Sequence, residues 1–70
     1  MSVTVIQSVN RAIQILGLFS LAKPQLGITE ISRALNLHKG TVQGLVRTLA
    51  DQGFLEQDYY SRKYQLGPKL

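Results

Sequence analysis

The chain of 70 residues contains no cysteine, one histidine (His38) and only four carboxylates. Without cysteine, disulfides and thiolate metal sites are excluded. A hydrolase triad needs a base held by an acid, and glycosidase or metal sites need converging carboxylates or imidazoles. The sequence offers no such cluster. We therefore predict that the chain is not an enzyme and holds neither a metal ion nor a cofactor.

The chain also lacks a long apolar run that is free of polar residues. Residues 1–22, MSVTVIQSVNRAIQILGLFSLA, are rich in apolar side chains, but Arg11 lies in the middle and Gln7, Asn10 and Gln14 interrupt them. A membrane span needs about 20 predominantly apolar residues, and a signal peptide has a continuous apolar core. The sequence therefore favours a cytoplasmic protein that does not insert into a membrane.

Basic residues outnumber acidic ones. Eight Lys and Arg against four Asp and Glu give a formal net charge of +4 and a pI near 9.9. This excess favours a polyanionic partner, such as nucleic acid or anionic lipid. A chain of this length forms at most one small domain, and the pattern of its residues has to decide between these partners.

Apolar spacing predicts a first helix from Ser8 to Leu21, with the Ser8 hydroxyl as its N-cap. Ile15 and Leu18 lie on a second apolar side of this helix, which needs a partner of its own. The main stripe, which we expect to face the core, comprises Val9, Ala12, Ile13, Leu16 and Phe19.

A second, short helix is predicted from Glu30 to about Leu35, with Thr29 as its N-cap. Asn36 suits the left-handed position that ends a helix. A third helix begins directly afterwards, at His38 or Lys39. Two helices joined by a tight turn have the spacing of a helix-turn-helix, in which the second of the pair enters the DNA major groove.

The third helix, within NLHKGTVQGLVRTL (residues 36–49), has two different faces. Val42, Leu45, Val46 and Leu49 form the i, i+3, i+4, i+7 stripe of a core-facing side. Each glycine inside a helix costs about 1 kcal/mol relative to alanine. We interpret the glycines of the other face as places where the backbone approaches DNA closely, although neutral drift on an exposed surface is an alternative. That face comprises Gly40, Gln43, Gly44 and Arg47.

Gly53 is expected to end the third helix. Two strand-like runs follow, Phe54 to Gln57 and Lys63 to Leu66, on either side of a polar tip from Asp58 to Arg62. A hairpin after a helix-turn-helix is a wing. The sequence thus predicts a mainly α fold with a small β-hairpin, a winged helix-turn-helix of three helices plus a two-stranded wing, over residues 1–66.

Several side chains are candidates for contact with DNA. Arg47 can take guanine O6 and N7 or clamp a phosphate, and Gln43 can pair with adenine N6 and N7. Lys39 and Thr41 open the third helix, where free amides favour phosphate, and Thr41 can instead meet a thymine methyl. The alternative for each is a solvated surface residue. With the basic wing residues, which suit the electronegative minor groove, the predicted set is Arg11, Thr29, Lys39, Gly40, Thr41, Gln43, Gly44, Arg47, Arg62 and Lys63.

Four segments carry a family resemblance that covers nearly the whole chain. They are IQSVNRAIQIL (residues 6–16), GITEISRALNLHKGTV (27–42), LADQGFLE (49–56) and YQLGPKL (64–70). Together they resemble the N-terminal DNA-binding domain of the isocitrate lyase regulator (IclR) family of bacterial transcription factors. The resemblance implies a cytoplasmic repressor or activator that dimerises and binds an operator. It also implies a small-molecule effector bound only by an absent C-terminal domain, with residues 67–70 as the start of the linker to it.

A few positions depart from the usual pattern of that family. Asn10 stands where Asp is common, and His38 where proline often opens the third helix. Gly40 replaces a frequent Ser, Gly44 a larger polar or basic residue, and Arg62 the glycine usual in the wing turn. The changes in the third helix imply an operator that differs from those of better-known relatives.

Two hypotheses of different classes follow. In the first, a homodimer binds an inverted-repeat operator in double-stranded DNA, with the third helix in the major groove and the wing on the backbone or minor groove. The dimer surface is then the spare side of the first helix with an N-terminal arm of Val3, Val5 and Ile6. In the second, the chain is a protein-interaction module that does not bind DNA.

Overall fold

Three helices precede a two-stranded antiparallel sheet in the computed structural model, which describes residues 4–69. In the sheet, Leu55 pairs with Leu66, Glu56 with Gln65 and Gln57 with Tyr64. The predicted winged helix-turn-helix, with three helices and a two-stranded wing, is confirmed. The elements are α1 (Gln7–Leu16), α2 (Ile28–Leu35), α3 (Lys39–Asp51), β1 (Leu55–Gln57) and β2 (Tyr64–Leu66).

One hydrophobic core lies between the three helices and the first strand. The side chains of Ile31, Val42 and Val46 are fully buried in it. No buried side-chain nitrogen or oxygen within residues 4–69 lacks a hydrogen-bond partner. No helix in the same range has both the length and the apolar character required to cross a bilayer. The core residues are Ile15, Phe19, Leu26, Ile31, Val42, Val46 and Leu55.

The bounds of α1 differ from the predicted ones. The helix begins at Gln7 after an extended N-cap residue, Ile6, which makes no side-chain cap bond, so the prediction of Ser8 as N-cap was wrong. It ends at Leu16 rather than Leu21. Beyond that point the N–H groups of Leu18 and Phe19 bond to carbonyls three residues back, at 3.1 and 3.5 Å, so the chain tightens and leaves the helix.

The core-facing side of α1 agrees with the prediction only in part: Leu16, of the predicted stripe, does pack against the core. Ile15 is fully buried, whereas Val9 and Ile13, assigned to the core stripe, are 55% and 62% exposed. Phe19 does reach the core, but from the turn after the helix. The spare apolar side is therefore the one that carries Val9 and Ile13, with Val5 and Ile6 ahead of it; Val3, also expected there, lies outside the described residues.

The start of α2 is formed by Gly27 and not by Thr29. Gly27 is the extended N-cap residue, and its N–H donates to Glu30 Oε1 at 2.8 Å. The Glu30 carboxylate thus supplies the capping acceptor from inside the first turn, which leaves Thr29 in the helix itself. The prediction that Thr29 caps this helix was wrong, because the glutamate three residues after the N-cap fulfils the role.

The turns on either side of α3 agree with the predictions. Asn36 ends α2 in the left-handed conformation, with φ of 54°, and α3 begins at Lys39. Gly53 follows α3 with φ of 83°. Both conformations are accessible to glycine and, at lower cost than for other residues, to asparagine.

The wing is tied to the rest of the domain through the segment before α2. Leu26 and Tyr64 exchange two backbone hydrogen bonds, with N–O distances of 2.9 and 2.8 Å, so Leu26 extends the sheet by one residue. The Gln25 side-chain amide donates to Gln65 Oε1 at 2.8 Å. These bonds fix the distance between the wing and the start of α2.

Gly67 provides a test of this packing. Its N–H donates to the Phe54 carbonyl at 2.8 Å, and a Cβ atom added to it would overlap the Gly53 carbonyl. We expect Gly67→Ala to lower the free energy of unfolding by about 1–3 kcal/mol, the usual penalty for an overpacked site, as measured by urea denaturation.

Gly17→Ala is the matched control. Gly17 has an ordinary helical φ of −70°, and a Cβ there would lie 3.5 Å from the Gln14 carbonyl oxygen. This variant should be as stable as the native chain or more stable, because alanine restricts the unfolded state. Equal stability of Gly67→Ala and the native chain would contradict the packing described here.

Candidate nucleic-acid interface

α3 presents the two faces that its sequence predicts. Val42 and Val46 are completely buried on one side. On the other side, a Cβ atom added to Gly40 or Gly44 would have no neighbour within 4 Å. Arg47, one turn further on, is exposed as well. The two-faced helix is thus confirmed, whereas its contact with DNA stays a prediction.

A groove of ≈ 500 Å³ separates the exposed face of α3 from the wing. It brings five of the predicted residues together, four from α3 and Arg62 from the wing, and none of the residues that line it is acidic. Arginines on both walls and two bare stretches of helix make the groove suited to an anionic partner. The lining comprises Ile28, Gly40, Gln43, Gly44, Arg47, Gln57, Arg62 and Tyr64.

Hydrogen bonds of the wing tip set the position of Arg62. The Arg62 N–H donates to the Asp58 carbonyl at 3.0 Å, and the Gln57 side-chain amide donates to the Arg62 carbonyl at 2.9 Å. Arg62 has φ of 66°, a left-handed conformation. Glycine would adopt this conformation without penalty, and the arginine is held there at a conformational cost of roughly 1–2 kcal/mol.

Asp58 stabilises the same turn through its side chain. The Ser61 backbone N–H donates to Asp58 Oδ2 at 2.8 Å. The hydrogen bond from the Ser61 backbone N–H keeps the pKa of Asp58 below its ordinary value of 3.8, so Asp58 is a carboxylate at neutral pH. The turn is therefore closed by a charged acceptor whose charge is directed inward, towards the Ser61 amide.

Lys63 lies beside the groove and is already paired. Its Nζ lies 3.3 Å from Glu30 Oε1, the oxygen that also caps α2. The Gly27 N–H and then the Lys63 ammonium hold the pKa of Glu30 below its ordinary value of 4.5. A phosphate at Lys63 or at the start of α2 would have to compete with this carboxylate.

The other predicted residues lie outside the groove lining. Lys39 and Thr41 flank Gly40 in the first turn of α3, and both are exposed. Thr29 is half-buried in the first turn of α2, and Arg11 is half-buried on α1. The described residues contain no group of three or more side chains that could hold a metal ion.

Sequence reasoning missed some residues of the groove. Gln57 lines it from the end of β1, and Ile28 and Tyr64 line it between α2 and the wing. No local pattern marks them, because their positions depend on how the hairpin folds back towards α3. The only available signal was the predicted hairpin itself, which ends its first strand at Gln57.

The family model for the IclR helix-turn-helix domain matches residues 8–59. A glycerol operon regulatory protein from Streptomyces coelicolor is 46% identical over 65 residues, which cover 93% of this chain and 26% of that protein. The transcriptional regulator XynR from Escherichia coli is 46% identical over 66 residues, covering 94% of this chain and 26% of that protein. The chain spans about a quarter of the length of these relatives.

Solved structures of related regulators show the same fold. An IclR transcriptional regulator from Alicyclobacillus acidocaldarius superposes with a TM-score of 0.89 at 34% identity, over 94% of this chain and 27% of that one. An IclR family regulator from Brucella abortus gives a TM-score of 0.88 at 34% identity, over 93% of this chain and 25% of that one. The fold, the family model and the curated relatives agree, and the chain belongs to the IclR family of transcriptional regulators as its helix-turn-helix DNA-binding domain.

Proposed function

We propose that this domain binds double-stranded DNA with sequence specificity, with α3 in the major groove and the wing on the adjacent backbone or minor groove. The observation that carries the proposal is the exposed face of α3, where Gly44 and Arg47 face a groove that contains no acidic side chain. The net charge of +4 supplies the general attraction to a polyanion.

The side chains of this face have separate roles. The fork of Arg47 donates to guanine O6 and N7, and Gln43 pairs with the N6 and N7 of adenine. Lys39 and Thr41 take phosphate at the positive end of α3, where the first backbone amides are free. Contacts with bases give sequence preference, whereas contacts with phosphates fix the position of the domain on the duplex.

Gly40 and Gly44 allow the helix backbone to come closer to the duplex than a helix with side chains there. The open space at both positions shows that no internal packing requires glycine. Their helix penalty, about 1 kcal/mol each, has no compensation inside the free domain, and this proposal assigns the compensation to close contact with DNA.

The domain acts as a homodimer through the exposed apolar side of α1. A groove of ≈ 420 Å³ lies between α1 and α3. Val9 and Ile13 lie on its α1 side and Leu45 and Leu49 on its α3 side. A two-fold contact of α1 with α1 would present two copies of α3 to an inverted repeat.

We also propose that the domain works within a longer cytoplasmic regulator, in which a C-terminal domain binds the small-molecule effector.

A protein-interaction module is the second candidate function. The exposed apolar side of α1, where Ile13 is 62% exposed, favours it. Such a module would not show the steep salt dependence of a protein that displaces counterions from DNA. A titration of duplex binding against salt concentration therefore separates the two candidates.

Arg47 and Lys39 test the division between base and phosphate contacts. After selection of a binding site from random DNA, Arg47→Ala should weaken binding to that site by about 1–3 kcal/mol and flatten base preference. Lys39→Ala should weaken binding to all duplexes alike. It should also reduce the slope of log binding constant against log salt concentration by about 0.9. Equal losses on selected and random DNA for Arg47→Ala would refute its role in base recognition.

Gly44→Ala tests the close approach of the helix. Because a Cβ atom fits in the free domain, the free energy of unfolding of the variant should be about 1 kcal/mol higher than that of the native chain, as measured by urea denaturation. Its affinity for the selected duplex should fall, because the methyl group separates helix and DNA. Gly17→Ala lies away from this face and should leave DNA affinity unchanged. A stabilised Gly44→Ala variant with native affinity would favour neutral drift.

Ile13→Glu tests the dimer surface. A carboxylate in the apolar groove should shift the chain to monomer in sedimentation equilibrium, because an unpaired charge is costly to bury. Leu21→Glu is the control, since Leu21 is fully exposed in the turn after α1. If both variants keep the association state of the native chain, α1 does not form the dimer contact.

A further inference from the structure

We infer that Tyr59 and Tyr60 form an aromatic contact site for the deoxyribose edge of the DNA minor groove, separate from the groove lined by α3. This inference rests on the proposed DNA-binding function and adds a second contact to it. Tyr59 is 84% exposed and Tyr60 is 90% exposed. Their ring centroids lie 5.3 Å apart in an edge-to-face arrangement of 88°.

Two adjacent aromatic rings are exposed in the turn between β1 and β2. A tyrosine ring contributes a large apolar area when it is buried, and exposed aromatic pairs are therefore enriched at sites that bind a partner. Tyr59 and Tyr60 contact each other rather than the core. Each ring keeps a face available for the flat apolar surface of a sugar or a base edge.

Hydrogen bonds preorganise the backbone of the turn that carries the rings. The Asp58 N–H donates to the Lys63 carbonyl at 2.8 Å, and Asp58 Oδ2 accepts from the Ser61 N–H. The Ser61 hydroxyl donates to Gln25 Oε1 at 3.3 Å, which links the tip to the segment before α2. Little ordering entropy is lost when such a preorganised turn binds, so most of the contact energy of the rings is kept.

The two tyrosines lie close in sequence to a residue that lines the candidate groove. Arg62 belongs to the same turn as the two tyrosines, and it lines the groove opposite Arg47. If α3 occupies the major groove, we expect the wing tip, which carries the two tyrosines and Arg62, to reach the adjacent strand and its minor groove. Arg62 supplies positive charge there, so the wing tip is attracted to the electronegative minor groove.

Contact with the deoxyribose edge tolerates many sequences, because a sugar is present at every nucleotide. Tyr59 and Tyr60 therefore add affinity for every duplex, without selecting individual bases. Base selection remains with α3. The rings extend the contacted duplex beyond the base pairs that α3 covers.

Tyrosine fluorescence tests the inference directly. The chain has three tyrosines and no tryptophan, so Tyr64→Phe leaves emission from the wing tip alone. Titration of this variant with the selected duplex should quench that emission, with the same midpoint as the anisotropy of labelled duplex. The double variant Tyr59→Ser, Tyr60→Ser should bind selected and random duplexes about tenfold more weakly, with unchanged base preference and salt slope.

The conservative double variant Tyr59→Phe, Tyr60→Phe is the matched control and should keep native affinity, because the rings remain. The inference is overturned, and the proposed DNA binding stands, if labelled duplex binds but two results fail to appear. These are quenching of the Tyr64→Phe emission and a loss of affinity in the serine double variant. If the native chain binds no duplex in the anisotropy assay, both are overturned.

Discussion

Burial of the aliphatic stripe of α3 is the constraint on which the rest of the structure depends. Val42 and Val46 are fully enclosed by side chains that include Ile15, Ile31 and Leu55. Burying a valine contributes about 1.5–3 kcal/mol, whereas a helical glycine costs about 1 kcal/mol. Rotation of α3 that hid Gly40 and Gly44 would expose both valines, so burial determines the outcome. Because a helix turns every 3.6 residues, the small and polar side then faces outward.

The wing converts that outward face into a groove of defined width. Leu26 and Tyr64 join the wing to the segment before α2, and the ion pair of Glu30 and Lys63 holds it from the side. Glu30 serves two purposes, since the same oxygen caps α2 and pairs with Lys63. The start of α2 and the wing are therefore held together, and because α2 shares its hydrophobic core with α3, the wing also keeps its position relative to Arg47.

The sequence predicted helix ends correctly where the conformation of a single residue determines them. Asn36 ends α2 and Gly53 follows α3, and both adopt positive φ. The faces of α3 were predictable because only one of its sides is apolar. α1 has apolar residues on two sides, so spacing could not determine which side, that of Ile15 or that of Ile13, is buried. The capping of α2 by Glu30 and the lining of the groove by Gln57 depend on contacts that periodicity does not encode.

The central claim is that the outward face of α3 contacts the duplex, and nuclear magnetic resonance of the glycine amides tests it most directly. The six glycines of the chain give backbone signals in a distinct spectral region and lie on different surfaces. On titration with a bound duplex, the signals of Gly40 and Gly44 should shift strongly, while Gly17 and Gly53 should change little. Large shifts at Gly17 with none at Gly40 and Gly44 would contradict the account.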